Sequence, residues 1–194
     1  MEKISYALGL SLGNNLLQSG IEKLDYKQLS KGIQDVLENN KPDMSYQEAQ
    51  AVINDFFQSL QDKMNEKNIK EGKQFLEENA KRAEVVTLPS GLQYEIITKG
   101  NGAIPKASDT VKVHYHGTLI DGNVFDSSVR RGEPATFGVT QVIPGWVEAL
   151  QLMPVGSKWK LYIPSNLAYG AQGAGQAIPP HTTLVFEVEL LDIL

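Results

Sequence analysis

The segment Val111-Lys-Val-His-Tyr-His116 alternates apolar and polar side chains with a period of two. The same period recurs in Trp159-Lys-Leu-Tyr-Ile163 and in Leu184-Val-Phe-Glu-Val-Glu-Leu190. This alternation is typical of antiparallel strands that have one buried face and one solvated face. Asp121-Gly122 supplies a hairpin turn after the first of these strands. The sequence therefore predicts an antiparallel sheet in the second half of the chain.

One short helix interrupts the predicted strands. It begins at Pro144-Gly-Trp146, carries Ala149 and Leu150 on its apolar side, and ends before Pro154. Proline is tolerated in the first turn of a helix and stops a helix elsewhere. A single helix packed against an antiparallel sheet defines an α+β domain.

The first half of the chain has a helical pattern instead. The first 86 residues hold only 5 of the 17 Gly and 1 of the 9 Pro. Apolar residues recur every fourth position from Ile4 to Leu16, ahead of a stop at Gly20, which predicts an amphipathic helix. A second predicted helix begins near Asp25 and ends at Asn39-Asn40.

The third predicted helix is the longest. Ser45 and Glu48 form a capping-box pattern, and no proline follows until after Ala83. Between Met64 and Phe75 this segment is almost entirely polar. A helix that is polar all round is typically a solvated bridge, so this stretch is interpreted as a rigid spacer.

These patterns divide the chain into a helical domain at residues 1–64, a continuation of the long helix at 65–86, and a strand-rich domain at 87–194. Three helices of this size enclose only a small core, and Phe56-Phe57 place aromatic rings on adjacent faces. Self-association of the helical domain is the expected remedy. A self-sufficient monomeric bundle is the alternative.

Composition excludes several classes of protein. With 194 residues, a net charge of -5, 41% hydrophobic and 21% charged residues, the chain has the composition of a soluble globular protein. Its basic residues are scattered, which argues against nucleic-acid binding. The absence of Cys excludes disulfides and thiolate chemistry, and no apolar run reaches the roughly 20 residues of a membrane span.

The beginning of the chain bears on location. Ser5, Ser11 and Asn14 interrupt its apolar stretch, and no small-residue cleavage site follows. A cytoplasmic location is therefore expected. A periplasmic or outer-membrane-associated location is the alternative if a leader has been removed.

Conventional catalytic and metal motifs are weak. His114 and His116 share one face of a strand, but no third ligand lies at a motif spacing, so a metal pair is disfavoured. The Gly170–Gly175 stretch lacks the Lys of a phosphate loop and is interpreted as a flexible loop. Arg130-Arg131 is expected to form an ordinary ion pair, and Ser127-Ser128 have no base beside them.

Aromatic residues stand out because several lie at turns and strand ends rather than only at mid-strand. If these residues converge, they line an aromatic concavity; the alternative is a plain hydrophobic core. They are Tyr115, Phe125, Phe137, Trp146, Tyr169 and Phe186.

Five ordered motifs in the second half resemble the FKBP family of peptidyl-prolyl isomerases. The first half, from Ser5-Tyr-Ala-Leu-Gly-Leu10 to Gly72-Lys-Gln-Phe-Leu-Glu-Glu-Asn-Ala80, resembles the dimerisation module and long linking helix of the Mip-like bacterial branch. The five motifs are Val113-His-Tyr-His-Gly117, Gly122-Asn-Val-Phe-Asp-Ser-Ser128, Val142-Ile-Pro-Gly-Trp146, Leu167-Ala-Tyr-Gly170 and Ile178-Pro-Pro-His-Thr-Thr-Leu-Val-Phe-Glu-Val-Glu-Leu190.

The resemblance implies a half-barrel sheet wrapped around the short helix, with the substrate proline in the hollow. Trp146 would form the pocket floor, Arg131 would pair with Asp126, and the Ile143 N–H and Tyr169 hydroxyl would bind substrate carbonyls. The implied catalytic group is Asp126, Tyr169, Tyr115, Phe125 and Phe186. The implied substrate-binding group is Trp146, Val142, Ile143, Ile178, Arg131 and Phe137.

An isomerase of this type needs no cofactor and no metal. Rotation of a prolyl bond breaks amide resonance over a barrier of about 18–20 kcal/mol without cleaving any bond. A dry aromatic pocket strips water from the prolyl carbonyl and thereby favours the less dipolar, twisted amide.

The resemblance also implies partners: proline-containing unfolded or partly folded protein clients, a homodimer through the N-terminal helices, and rapamycin-type macrolide inhibitors. Ala135, Ala174 and Ala177 stand where small single-domain relatives carry larger residues, which predicts a wider rim and altered inhibitor affinity. Two functional classes stay open. One is an active isomerase that assists folding, and the other is a holdase-like chaperone that uses the FKBP head only for docking.

Overall fold

The amino-terminal part of the chain is helical, as its fourfold apolar period predicts. In the computed structural model, which describes all 194 residues, the chain divides into two compact units, residues 1–63 and 64–194. Helix α1 spans Glu2–Gln18 and α2 spans Tyr26–Leu37. Helix α3, Tyr46–Asn79, begins in the first unit and ends in the second.

Local hydrogen bonds explain where these helices begin. The Asp25 carboxylate accepts hydrogen bonds from the N–H groups of Lys27 (2.9 Å) and Gln28 (3.1 Å), which caps α2. The predicted capping box is confirmed: the Ser45 N–H donates to Glu48 Oε2 (2.8 Å), and the Glu48 N–H donates to Ser45 Oγ (3.2 Å).

The helical unit has no buried residue. Every side chain of residues 1–63 is exposed or half-buried within one chain. More than half of the large hydrophobic side chains that the whole protein exposes lie in this unit, Phe56 and Phe57 among them. The helices are therefore amphipathic, but within one chain their apolar side chains do not form a buried core.

The end of α3 differs from the prediction of helix to about Ala83, within a linking segment at 65–86. The helix ends at Asn79, whose side-chain Nδ2 donates to Gln93 Oε1 (2.9 Å). Arg82 then donates to the Tyr162 hydroxyl (2.8 Å), which turns the chain toward the sheet. Long-range side-chain bonds, absent from any local pattern, end the helix early.

The interpretation of the polar stretch between Met64 and Phe75 as a solvated spacer is also wrong at two of its positions. Gly72 is buried, and the Asn68 side-chain Nδ2 donates to the carbonyl of Pro180 (2.9 Å). Both contacts lie within the second unit, and neither residue has an apolar side chain that the hydrophobic pattern could reveal.

The second unit is built on an antiparallel sheet. The strands are β1 Val86–Thr87, β2 Gln93–Thr98, β3 Thr110–Leu119, β4 Val124–Ser127, β5 Ala135–Gly138, β6 Lys158–Ile163 and β7 Leu184–Ile193. Their order in the sheet is β1-β2-β6-β7-β3-β4, and β5 pairs separately with β3.

The helices of this unit include the predicted one and two short additions. Helix α5, Pro144–Leu150, matches the predicted helix. A single-turn helix α4, Ser128–Arg131, and a 3-10 turn, Ser165–Leu167, were not predicted. The α+β class is confirmed.

The core lies between the sheet and α5. The alternating residues of β3 point inward, with Val111 and Val113 fully buried. Tyr115 lies opposite Val188 in β7, and Gly117 lies opposite Phe186. The buried side of α5 joins the same cluster through Trp146, Ala149 and Leu150. The two periodicities of the sequence, two in the strands and near four in the helix, thus meet in one core.

We expect Leu161→Ala to destabilise the folded state by about 2–5 kcal/mol, because Leu161 is fully buried in β6 and its truncation leaves a cavity. Leu152→Ala, at an exposed position, is the matched control and should change stability by less than about 0.5 kcal/mol. Urea unfolding followed by tryptophan fluorescence measures both. Equal losses in the two variants would contradict the placement of the core.

Candidate active site

A cavity of about 610 Å³ opens beside α5 on the core side of the sheet. All the predicted site residues except Arg131 line it, together with Gln141 and Ala177. The lining residues are Tyr115, Phe125, Asp126, Phe137, Gln141, Val142, Ile143, Trp146, Tyr169, Ala177, Ile178 and Phe186.

The start of α5 sets the floor of this cavity. The Ile143 carbonyl accepts hydrogen bonds from the N–H groups of Trp146 (2.9 Å) and Val147 (3.1 Å), so Ile143 is the cap and Trp146 lies in the first turn. A Cβ on Gly145 would lie 2.6 Å from Ile163 Cγ2, so glycine lets the helix approach β6 closely. In the motif Val142-Ile-Pro-Gly-Trp146, Val142 and Ile143 therefore line the cavity, Ile143 caps α5, and Trp146 forms the floor.

Three aromatic rings stand edge-on to the Trp146 ring. Its centroid lies 5.5 Å from that of Tyr115, 5.9 Å from Phe137 and 5.2 Å from Phe186, at interplanar angles of 82°, 89° and 80°. Phe125 meets Phe186 in the same way at 5.3 Å. Edge-to-face pairs are a preferred aromatic geometry, so the floor and walls are fixed by mutual contact.

Gly117 makes this aromatic packing fit. A Cβ at this position would lie 2.7 Å from the Phe125 ring and 2.8 Å from the Phe186 ring. Two aromatic walls therefore close over a backbone position that has no side chain.

The polar side of the cavity is a three-residue network. The Tyr115 hydroxyl and Arg131 Nη1 both donate to the Asp126 carboxylate, and Arg131 Nη2 donates to the Tyr115 hydroxyl (2.9 Å). Burial disfavours ionisation of the Asp126 carboxyl, but the hydrogen bonds from Tyr115 and Arg131 outweigh it and lower its pKa. Burial, with the bond to Asp126, raises the pKa of Tyr115. At neutral pH the network thus holds a carboxylate, a guanidinium and a neutral phenol.

Helix α4 carries Arg131 to this network although Arg131 does not line the cavity. The Ser127 hydroxyl accepts a hydrogen bond from the Arg130 N–H (3.2 Å), which caps the single turn. Gly132 ends the turn in the left-handed region at φ +75°. Ser127 before this turn and Gly132 after it form a start-and-stop pattern that could have indicated the short helix from the sequence.

The glycine-rich stretch, predicted as a loop, is a loop closed by an isolated bridge between Ala174 and Ile178. The Ala174 N–H donates to the Ile178 carbonyl (2.8 Å), and the reverse bond is 3.2 Å. The Gly173 backbone has a φ of +65° and lies close to the Ile178 backbone. A Cβ on Gly173 would lie 2.3 Å from the Ile178 carbonyl oxygen. This loop places Ala177 and Ile178 in the cavity wall, and Tyr169 stands at its other end.

The expectation that Ser127 and Ser128 have no base beside them is wrong, because a histidine of β3 lies beside each of them. His114 Nδ1 lies 3.0 Å from Ser128 Oγ, and His116 Nδ1 lies 2.9 Å from Ser127 Oγ. These pairs tie β3 to the β4–α4 junction behind the network.

Gln141 is the lining residue that the sequence did not identify. It immediately precedes the Val142 motif, and a Cβ on Gly138 would lie 2.8 Å from its Oε1. A polar residue before an apolar motif has no distinguishing pattern, so only proximity to that motif could have indicated it.

Comparison with known proteins agrees with this geometry. Residues 102–191 match the family described as FKBP-type peptidyl-prolyl cis-trans isomerase, and residues 1–96 match the domain amino-terminal to that isomerase. The chain is 52% identical, over 98% of its length and 94% of the relative, to the FKBP-type 22 kDa peptidyl-prolyl cis-trans isomerase of Escherichia coli K12. It belongs to the FKBP-type peptidyl-prolyl cis-trans isomerases.

Further similarities extend over nearly the whole FKBP-type chain. It is 44% identical to the outer membrane protein MIP of Legionella longbeachae, covering 99% of this chain and 85% of the relative. The crystal structure of FkpA from Escherichia coli superposes with a TM-score of 0.82 at 44% identity, covering 98% of this chain and 95% of that one. The family resemblance in the sequence is confirmed. None of the helices is both long and apolar enough to cross a membrane.

For this isomerase we expect Gly117→Ala to lower kcat/KM by about tenfold, because the added methyl displaces the Phe125 and Phe186 rings and a misplacement of 1 Å can cost about 100-fold. Gly122→Ala is the control: its Cβ contacts nothing, although its φ of +89° strains the turn. The control should lose stability and keep its activity. Wild-type activity in Gly117→Ala would refute the packing argument.

Proposed function

We propose that the cavity accelerates rotation about X–Pro bonds by desolvating the prolyl amide and stabilising its twisted form. The observation that carries this proposal is the edge-on aromatic floor around Trp146, bordered on one side by the Asp126 network. An apolar floor accepts the proline ring, and the polar side lies where the amide enters.

The energetic argument concerns the difference between planar and twisted amides. The planar amide is the more dipolar form and loses more when water is removed, so a dry cavity raises the ground state relative to the transition state. Each 1.4 kcal/mol of this preference is about tenfold in rate. No bond is made or broken, so the reaction needs no nucleophile and no proton transfer.

The polar residues have distinct proposed roles. The Tyr169 hydroxyl and the Ile143 N–H donate to substrate carbonyls and orient the peptide. Asp126 stays ionised because its pKa is lowered, which suits a residue that organises the pocket or contacts the twisted carbonyl carbon. Arg131 and Tyr115 hold that carboxylate in place. Apolar side chains, chiefly Trp146 and Phe186, supply the desolvation.

We expect Asp126→Leu to lower turnover about tenfold or more, equivalent to about 1.4 kcal/mol, while the fold is retained. Tyr169→Phe should weaken substrate binding. Protease-free NMR exchange on a Leu-Pro or Phe-Pro peptide measures both effects, with rapamycin added as a competitor.

The matched control is Glu133→Leu, which removes an exposed carboxylate after α4 and should leave exchange unchanged. Wild-type turnover in folded Asp126→Leu would remove Asp126 from the mechanism. A folded wild-type protein without catalysis would favour the holdase alternative.

We further propose that residues 1–64 form a homodimer. The supporting observation is that no side chain of the helical unit is buried, with Phe56 and Phe57 each about 40% exposed. The same unit has an apolar cleft of about 720 Å³ between α2 and α3, lined by residues such as Ile33, Val36 and Ile53. A helical unit without a buried core is stabilised when a partner covers its exposed apolar side chains. A second copy of the chain presents the same apolar side chains for this contact.

Proline-containing unfolded chains are the proposed clients. A dimer carries two pockets, so a client bound at one pocket has a raised effective concentration at the other. The exposed apolar surface of the helical unit supports an added chaperone activity. The relative named outer membrane protein MIP supports the periplasmic or outer-membrane alternative for location over the cytoplasmic one.

We expect Phe56→Glu to reduce the mass of the assembly from twice 21.4 kDa to that of one chain, because a buried unpaired charge opposes association. Gln47→Glu adds the same charge at an exposed polar position of α3 and should leave the mass unchanged. Sedimentation at micromolar concentration measures both. A monomeric wild-type protein, or a dimeric Phe56→Glu variant, would contradict this assignment.

A further inference from the structure

One wall of the isomerase pocket belongs to the segment between the 3-10 turn and β7. Tyr169 stands at the start of this segment and Ile178 near its end, and both line the cavity. The His181 N–H donates to the Gly170 carbonyl (2.8 Å), which ties the two ends together. The position of residues 179–183 therefore sets the position of both wall residues.

Residues 179–183, called the stem below, have few hydrogen-bond donors of their own. Pro179 and Pro180 lack N–H groups, so neither can donate a backbone hydrogen bond. The Thr182 hydroxyl donates to the Pro179 carbonyl (2.7 Å), and His181 adopts a left-handed φ of +58°. A stem of this kind needs support from outside to hold one conformation.

Helix α3 supplies that support. Asn68 Nδ2 donates to the Pro180 carbonyl (2.9 Å) across 112 residues of sequence. Four residues later, one turn along the same face, Gly72 is buried against Thr183. A Cβ on Gly72 would lie 2.5 Å from Thr183 Oγ1 and 3.3 Å from Thr183 Cβ. The helix thus touches the stem at both of its ends.

The same face of α3 is fixed to the sheet further along. The Phe75 ring lies 5.9 Å from the Tyr162 ring, and Gln93 Nε2 donates to the Leu76 carbonyl (2.9 Å). Asn79 donates to Gln93 Oε1. Because these contacts anchor the helix to β2 and β6, the surface that meets the stem has a defined position.

We infer that Asn68 and Gly72 are positioning residues for catalysis: through Pro180 and Thr183 they hold the pocket wall formed by Ile178 and Tyr169. This inference rests on the proposed assignment of the cavity as the substrate site. Neither residue touches the cavity, and both lie in a helix segment whose polar sequence predicted no packing role.

The decisive variant is Gly72→Ala in the full chain. Alanine favours a helix more than glycine does, so loss of activity would not come from a weaker helix. The added methyl collides with Thr183 and pushes the stem. We expect KM for a Leu-Pro peptide to rise about tenfold, with a smaller change in kcat, and the Ile178 δ1-methyl NMR signal to shift.

Two further variants complete the experiment. Gly72→Ala combined with Thr183→Ala removes the collision and should restore KM and the methyl signal to within about twofold of the Thr183→Ala single variant. Asn68→Ala adds no bulk and should raise KM by a few-fold, because only one hydrogen bond is lost. Lys70→Ala, exposed on the same stretch of α3, is the matched control and should match the wild type.

The inference is overturned if folded Asn68→Ala and Gly72→Ala both keep the wild-type KM and Ile178 signal, or if Thr183→Ala fails to rescue Gly72→Ala. Asp126→Leu, measured in parallel, separates this result from failure of the proposed function. If Asp126→Leu loses turnover while the helix variants do not, only the positioning role fails. If Asp126→Leu and the helix variants all remain active, the pocket assignment fails first.

Discussion

Trp146 stands in the first turn of α5 with its ring edge-on to Tyr115, Phe137 and Phe186. These three residues come from β3, β5 and β7, so one indole ring joins the helix to three strands of the sheet. Trp146 and these three rings all line the cavity. The floor and walls of the cavity therefore depend on this edge-to-face packing.

The polar network depends on the same frame. Tyr115 contributes its ring to the floor and its hydroxyl to Asp126, so the apolar and the charged parts of the pocket share one side chain. Arg131 arrives on a single helical turn and also lies over the Tyr115 ring, 5.6 Å from its centroid. Because Asp126 is satisfied by two donors, its charge is stable beside an apolar cavity.

The two units differ in how far they bury their apolar side chains. The carboxyl-terminal unit buries its alternating residues within one chain, whereas the helical unit leaves its apolar face exposed. Helix α3 belongs to both, and its last turns bury Gly72 and Asn79 and place the Phe75 ring against Tyr162. One helix therefore carries an exposed apolar face in the first unit and buried contacts in the second.

The sequence by itself determined the strand and helix periods, the start of α2 near Asp25, the capping box at Ser45 and the start of α5. The family resemblance of its five motifs indicated nearly every residue of the cavity. These features are local, or occur in motifs whose order along the chain is retained. Only the tertiary structure decided that α3 ends at Asn79, that Gly72 packs on Thr183 and that Gln141 joins the lining. Each of these features depends on a contact between residues distant in sequence or on the absence of a side chain. Such features do not alter the hydrophobic periodicity of the sequence, so the periodicity cannot predict them.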